Sequence, residues 1–203
     1  IFFFNSTRAS SDPGRFVLFA MITAILAGGR ASRMGYRDKG LVKLGGQPLV
    51  AHVLTAIAPH VGAIAINANR NVDTYAELGL PVIEDARGDY PGPLAGIAAG
   101  LVWCPTEYLF VIPCDTPRFR GCCIARLHAV LGAADVAVAH DGQRLQPLHA
   151  LIRQRCRDSL SRFMADGGRR VERWIQTLDH RQADVSQHPE MFVNINSPED
   201  LHD

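Results

Sequence analysis

Residues 21–35 read MITAILAGGRASRMG, and the fold turns on how the first half of this stretch meets the second. Residues 21–27 are a continuous apolar run that ends in glycine. That is the pattern of a strand buried on both faces, since a half-buried strand would alternate. The loop that follows holds Gly28, Gly29, Arg30, Arg33, Gly35, Asp38, Lys39 and Gly40. Successive glycine amides can cradle phosphate oxygens, and Arg and Lys add charge-assisted bonds. The loop is not a G-x-x-x-x-G-K-[ST] phosphate loop, because Gly40 follows Lys39, nor is it the G-x-G-x-x-G dinucleotide fingerprint. Taken alone it reads equally as an ordinary strand-to-helix turn with solvated arginines.

Downstream, strand and helix patterns alternate. Leu49, Val50, Val53, Leu54 and Ile57 have helical spacing over 47–59, with Pro48 in the first turn and Pro59 at the end. Residues 61–67 read as a second strand, 72–78 as a short helix and 81–84 as a third strand. Helical spacing returns over 94–102. The apolar run YLFVIP at 108–113 reads as a fourth strand, and 120–131 as a helix. Strands are expected at 135–140 and 148–153, a helix at 155–165 and a last short strand at 191–195. Ser197 and Pro198 open a final helix, as cap and first-turn proline. This alternation implies a mainly parallel sheet with helices on both faces, a three-layer α/β/α arrangement. Ligands of such sheets bind beyond the carboxyl ends of the strands. That rule singles out 28–39, 67–70, 85–96 and Asp115.

Composition narrows the class. The chain has 203 residues, 47% of them hydrophobic, and a net charge of +1, which fits one domain with a sizeable core. The balanced charge argues against nucleic acid as a partner. No apolar run reaches the ~18 residues of a membrane span. Five cysteines, odd in number and without a C-x-x-C pair, suggest neither a disulfide framework nor a zinc site, so a reducing cytoplasm is expected. Residues 1–20 have apolar patches separated by Ser, Asp, Pro and Gly, unlike the continuous apolar region of a signal peptide. They read as an appended or upstream-translated tail, with the domain at 21–203.

Asp115 lies in VIPCDTP, directly after a buried strand and in a segment stiffened by two prolines. A carboxylate there can ligate Mg²⁺, which takes one or two carboxylates plus substrate phosphates, or it can cap the following turn. Asp85 also follows a strand and could bond a ribose, a base or a metal-bound water, with Glu84 and Asp89 as nearby rivals. Pro91-Gly92-Pro93 leads into the helix from Leu94, whose N-terminus attracts anions. Asn67 and Asn69 offer amides suited to a base edge, or serve as turn residues. The histidines form no H-x-x-x-H or H-E-x-x-H set, and Ser32 is not in G-x-S-x-G. Cys122 and Cys123 begin a helix, where a thiolate could be activated; they read instead as packing residues.

Together these residues resemble a known family. Leu26-Ala27-Gly28-Gly29, Arg33-Met34-Gly35 and Asp38-Lys39-Gly40 match the L-A-G-G-x-x-x-R-M-G signature and downstream lysine of nucleotidyltransferases. NANR at 67–70, IED at 83–85, DYPGPLAG at 89–96, PCDTP at 113–117 and FVNINSPEDL at 192–201 closely resemble the molybdenum cofactor guanylyltransferases of MobA type, in order and at compatible spacing. The resemblance implies a single-domain, Rossmann-like sheet of nucleotidyltransferase type. It also implies Mg²⁺-dependent transfer of GMP from GTP to the terminal phosphate of molybdopterin, with release of pyrophosphate.

Carried over residue by residue, Leu26, Ala27, Gly28 and Gly29 match the guanine- and phosphate-contacting loop. Lys39 matches the phosphate-contacting lysine, Asn67 and Asp85 match nucleotide contacts, and Asp115 matches the Mg²⁺ ligand. Arg33 and Lys39 would stabilise developing charge. The C-terminal half matches more loosely, apart from GGRRV at 167–171 and the NIN segment, so the molybdopterin contacts stay unassigned. The expected protein is a monomer in transient contact with other molybdenum-cofactor biosynthesis proteins or acceptor apoenzymes.

A cytidylyltransferase of the same pterin is the nearest rival. Such enzymes tend to carry L-A-A-G where this chain has L-A-G-G, so Gly29 favours guanine. Sugar-phosphate nucleotidyltransferases share the first loop but are usually longer. A non-catalytic nucleotide-binding module would be expected to lack Lys39 or Asp115, and both are present.

Overall fold

The computed structural model describes residues 18–27, 30–31, 37–86, 92–196 and 200. In chain order the strands are β1 (Leu18–Leu26), β2 (Arg30–Ala31), β3 (Arg37–Asp38), β4 (Lys43–Leu44), β5 (Gln47–Pro48), β6 (Val61–Asn67), β7 (Val82–Ile83), β8 (Tyr108–Pro113), β9 (Val136–His140), β10 (Leu145–Arg153) and β11 (His180–Asp184). The α-helices are α1 (Leu49–Ile57), α2 (Val72–Ala76), α3 (Pro93–Trp103), α4 (Cys122–Leu131), α5 (Arg157–Ala165) and α6 (Val171–Ile175).

Seven strands form the main sheet in the order β11-β9-β10-β8-β1-β6-β7. All pairings are parallel except those of β10, which runs antiparallel to both β8 and β9. The mainly parallel α/β sheet expected from the sequence is therefore present. β1 shows why its run does not alternate, Thr23 being its one polar residue. Met21 and Ile25 join a core cluster with Val50, Val53, Ile57 and Leu127 on one face. Ile22, Ala24 and Leu26 join another with Leu94, Ile97, Leu101 and Trp174 on the opposite face. Burying both faces removes the alternation that a half-solvated strand would carry.

The structure departs from the sequence reading in a few places. β1 begins at Leu18, three residues before the expected start, and Leu18 aligns with Val61. No strand forms at 191–195. Pro189–Phe192 is a short 3-10 helix, with Pro189 in its first turn and Met191 and Phe192 packed into the core. Met191, Phe192 and Ile195 are buried by tertiary packing without strand pairing, while Val193 is exposed. β11 and α6 were not anticipated. The final helix start at Ser197 falls outside the described residues.

The register aligns the strand ends that matter. Leu26 at the end of β1 faces Pro113 of β8 and Asn67 of β6, and Asn67 faces Ile83 of β7. Backbone bonds carry the ladder one step further, from Ala27 N to Asn67 O at 2.9 Å and from Cys114 N to Leu26 O at 3.2 Å. Four adjacent carboxyl ends thus form one rim, the position where open α/β sheets bind ligands.

Candidate active site

The rim gathers the expected residues into two neighbouring groups. In the first, the Lys39 ammonium contacts Asp115 Oδ2 and donates to Asn196 Oδ1 at 2.6 Å. Lys39 opens a 3-10 turn (Lys39–Leu41) capped by Asp38, and Asp115 lies two residues beyond β8. Asn196 arrives from the far end of the chain. Its segment is pinned by Ile195 N donating to Asp115 O at 2.9 Å.

The second group sits over β6 and β7. Asn67 Nδ2 donates to Asp85 Oδ1 at 2.8 Å and to Ile83 O at 3.2 Å. Asn69 Nδ2 donates to Asp85 Oδ2 at 2.7 Å, and Asp85 N returns a bond to Asn69 Oδ1 at 2.8 Å. Asp85 is thereby distinguished from Glu84, which is exposed; Asp89 lies outside the described residues. Leu26 and Ala27 are buried at the end of β1 between the two groups. Gly28, Gly29 and Arg33 lie outside the described residues.

Asp115 is 8% exposed, and its Oδ1 is buried without a hydrogen-bond partner among the described residues. A buried carboxylate oxygen normally has a partner. An orphaned hard oxygen at a strand end is the kind of donor that Mg²⁺ takes. The described residues contain no cluster of three or more His, Cys, Asp or Glu side chains. An ion held here would therefore draw most of its ligands from beyond the described side chains, substrate phosphates among them, and in that sense the donor set fits Mg²⁺.

Burial fixes the protonation of two groups beside Asp115. Burial pushes the Cys114 thiol far up, reinforced by the charges of Asp115 and Asp38, so it stays protonated. Burial lowers His149 to about 3, so its ring is neutral. His149 Nε2 lies 3.3 Å from Thr116 Oγ1, and its ring stacks on Phe119 with centroids 5.6 Å apart. Phe192 meets it edge-on at 4.9 Å. This aromatic group joins the segment carrying Asp115 to the segment leading to Asn196. All five cysteines are free. Cys123 is buried and pushed up to about 12, as a packing residue should be, whereas Cys122 is exposed at the start of α4, contrary to the expectation that both pack.

Asn196 and His149, together with Asn71 and Tyr75, which donate to the Asp38 carboxylate beneath the Lys39 turn, were not among the expected site residues. For Asn196 the NIN segment carried a signal. The other three depend on contacts distant in sequence.

The chain matches the family described as the MobA-like NTP transferase domain over residues 23–184. It is 45% identical to the molybdenum cofactor guanylyltransferase of Vibrio cholerae over 178 residues, 87% of each chain. Identity to the Shewanella sediminis protein of the same name is 44%, covering 86% of this chain and 90% of that one. The crystal structure of molybdopterin-guanine dinucleotide biosynthesis protein A from Archaeoglobus fulgidus superposes with a TM-score of 0.73 at 25% identity, covering 90% of this chain and 95% of that one. The chain belongs to the MobA-like NTP transferase domain family.

Proposed function

We propose that this chain transfers GMP from GTP to the terminal phosphate of molybdopterin, releasing pyrophosphate and forming the guanine dinucleotide cofactor. The observation that carries the reading is the meeting of Lys39, Asp115 and Asn196 at one strand end, beside the Asn67–Asn69–Asp85 group. The names and identities of the relatives support the choice of substrates.

In this reading the molybdopterin phosphate attacks the α-phosphorus of GTP. The bond from that phosphorus to the bridging oxygen breaks, and pyrophosphate leaves with the electron pair. The attacking phosphate is already ionised near neutral pH, so the protein need not supply a base. Its task is positioning and charge neutralisation. Lys39 exchanges its contact with Asp115 for the phosphates, while Asn196 keeps the ammonium oriented. Asn67, Asn69 and Asp85 form a pre-bonded polar wall for the nucleoside, and Leu26 and Ala27 form its floor. Asp115 would hold Mg²⁺ through Oδ1, and the bound ion would supply neutralising charge at the phosphates. Gly28, Gly29 and Arg33 belong to the same proposal through the sequence motif, with Gly29 favouring guanine.

Among the described residues no helix is long and apolar enough to cross a membrane, and the proposed setting is a monomer in the cytoplasm. The test is incubation with molybdopterin and Mg²⁺ in the presence of equal GTP and CTP. Pyrophosphate release with the guanine dinucleotide as product is expected. Preferential CTP incorporation would assign a cytidylyltransferase, and GTP binding without pyrophosphate release would leave a non-catalytic module.

A further inference from the structure

Lys39 reaches the site from the first turn after Asp38, and Asp38 is itself tied down from elsewhere. Asp38 is 9% exposed, and its carboxylate accepts from three donors. Tyr75 Oη donates to Oδ1 at 2.5 Å, Gly40 N to Oδ1 at 3.2 Å, and Asn71 Nδ2 to Oδ2 at 3.0 Å. Asn71 has φ of 52°, a left-handed conformation that Asn tolerates better than most residues. That conformation starts α2, which brings the fully buried Tyr75 under the Lys39 turn. Burial and the bond to Asp38 push the Tyr75 phenol far above its ordinary range, so its hydroxyl remains a donor.

An independent observation fits the same assembly. A Cβ on Gly40 would lie 2.4 Å from Tyr75 Oη and 3.4 Å from Cys114 Sγ. The phenol hydroxyl occupies the volume that a side chain next to Lys39 would need. A carboxylate held by its own turn through Gly40 and by two donors from the Asn71–Tyr75 segment is a rigid anchor, because breaking any one bond leaves a buried charge less satisfied.

The geometry points to Tyr75 and Asn71 as positioning residues that act through Asp38 to aim the Lys39 ammonium. The same contacts tie the segment that follows Asn67, the last residue of β6, and carries Asn69 to the lysine turn, so the nucleoside wall and the phosphate-facing cation are held in one frame. This inference rests on the reading of Lys39 as the phosphate-contacting cation.

Tyr75→Phe removes one hydroxyl and keeps the ring. Asn71→Gly removes the amide donor and keeps the left-handed backbone, which glycine adopts freely. Pyrophosphate release from GTP, Mg²⁺ and molybdopterin is measured for both, in the wild-type and Lys39→Gln backgrounds, with single-turnover conditions for the slow variants. Misaiming a group that works in the transition state lowers kcat by about 10- to 100-fold, while KM for GTP shifts by less than about 3-fold.

In the Lys39→Gln background the same substitutions should cost less than about 2-fold, since their route of action is gone. An equal loss in both backgrounds, or an unchanged kcat in the Lys39 background, overturns the inference. Absence of pyrophosphate release by the wild-type chain would instead sink the transferase reading on which it rests. Should Tyr75→Phe fail to fold, Asn71→Gly gives the same comparison.

Discussion

Gly96 sits in the second turn of α3, where helix propensity and packing pull in opposite directions. Replacing a mid-helix glycine by alanine ordinarily stabilises by about 0.5–1 kcal/mol, through the lost freedom of the unfolded chain. Here the added Cβ would lie 2.3 Å from Asn67 Oδ1 and 2.9 Å from Leu26 Cδ2. Neither neighbour has an easy retreat. Asn67 is 3% exposed and bonded to Asp85 and to Ile83 O. Leu26 is held in the sheet between β6 and β8.

Overpacking of this kind costs about 1–3 kcal/mol, and loss of the Asn67 bond to a carboxylate adds about 1.5–3 kcal/mol. These costs exceed the propensity gain, leaving a net destabilisation of about 1.5–5.5 kcal/mol and a Tm lower by roughly 3–22 °C for a chain of this size. Gly100→Ala is the internal control. It lies one turn on, and its Cβ would meet Leu109 Cδ2 at 3.0 Å and Ala24 Cβ at 3.2 Å, a milder overlap remote from the rim. Thermal melts and GTP titrations on both variants separate the effects. Gly96→Ala should weaken GTP binding about tenfold or more as Asn67 releases Asp85, while Gly100→Ala leaves it unchanged. A rise in the Tm of Gly96→Ala, or unaltered GTP affinity, would refute the packing argument.

Other consequences follow from the same geometry. Asp115→Ala should lower kcat by about 10³-fold yet shift Tm by less than about 4 °C, because the lost Oδ1 has no partner among the described residues and Lys39 keeps Asn196; intact turnover at saturating Mg²⁺ would end the metal assignment. His149 falls from 6.5 to about 3 in the folded chain, so between those values only the unfolded chain takes up the proton. Its contribution to stability is therefore constant above the upper value and falls by up to about 1.4 kcal/mol per pH unit below it. Urea midpoints of His149→Phe, which keeps the aromatic stack, should decline less steeply than wild type on acidification. Arg153, at the end of the sheet opposite the rim, beside the start of β8, bonds Glu107, Ala134 O and Gly132 O and lies over Tyr108. Arg153→Ala should destabilise by about 1.5–3 kcal/mol through its lost charged hydrogen bonds with KM for GTP unchanged, and a raised KM would show that the two ends of the sheet are coupled.

Which parts of this molecule could be read from sequence depended on whether the signal was local. β6 and β8 have the bounds expected of them, because each is a run buried on both faces and closed by a polar or proline residue. β11 is the converse case. HRQAD at the sheet edge buries only Ala183, so the strand exists through its pairing with β9 and leaves no apolar period. α6 is a single five-residue turn anchored by Trp174, too short for periodicity to declare itself. At 191–195 the composition favours a strand, but Phe192 is spent on the His149 ring and Ile195 on Val42 and Leu49.

The candidate site shows the same division. Each expected residue with a described side chain lies at the rim, because the rule that ligands sit beyond parallel strand ends turns a local reading of strands into a map of positions. What that rule cannot supply is pairing. Asp85 and Glu84 are adjacent in sequence and alike in chemistry, and only the two asparagine amides, 16 or 18 residues away, choose between them. Lys39 meets Asp115 across 76 residues and Asn196 across 157. Asn196 is held there by the backbone bond from Ile195 N to Asp115 O, by the packing of Phe192 and Ile195 and by Asp200, which accepts from Asn196 N, contacts that no local pattern announces. The chemistry of such a site is therefore local and legible, whereas its precision comes from long-range contacts through Tyr75, Gly96 and His149. Those three residues should accordingly govern rate and stability more than their distance from the phosphates suggests.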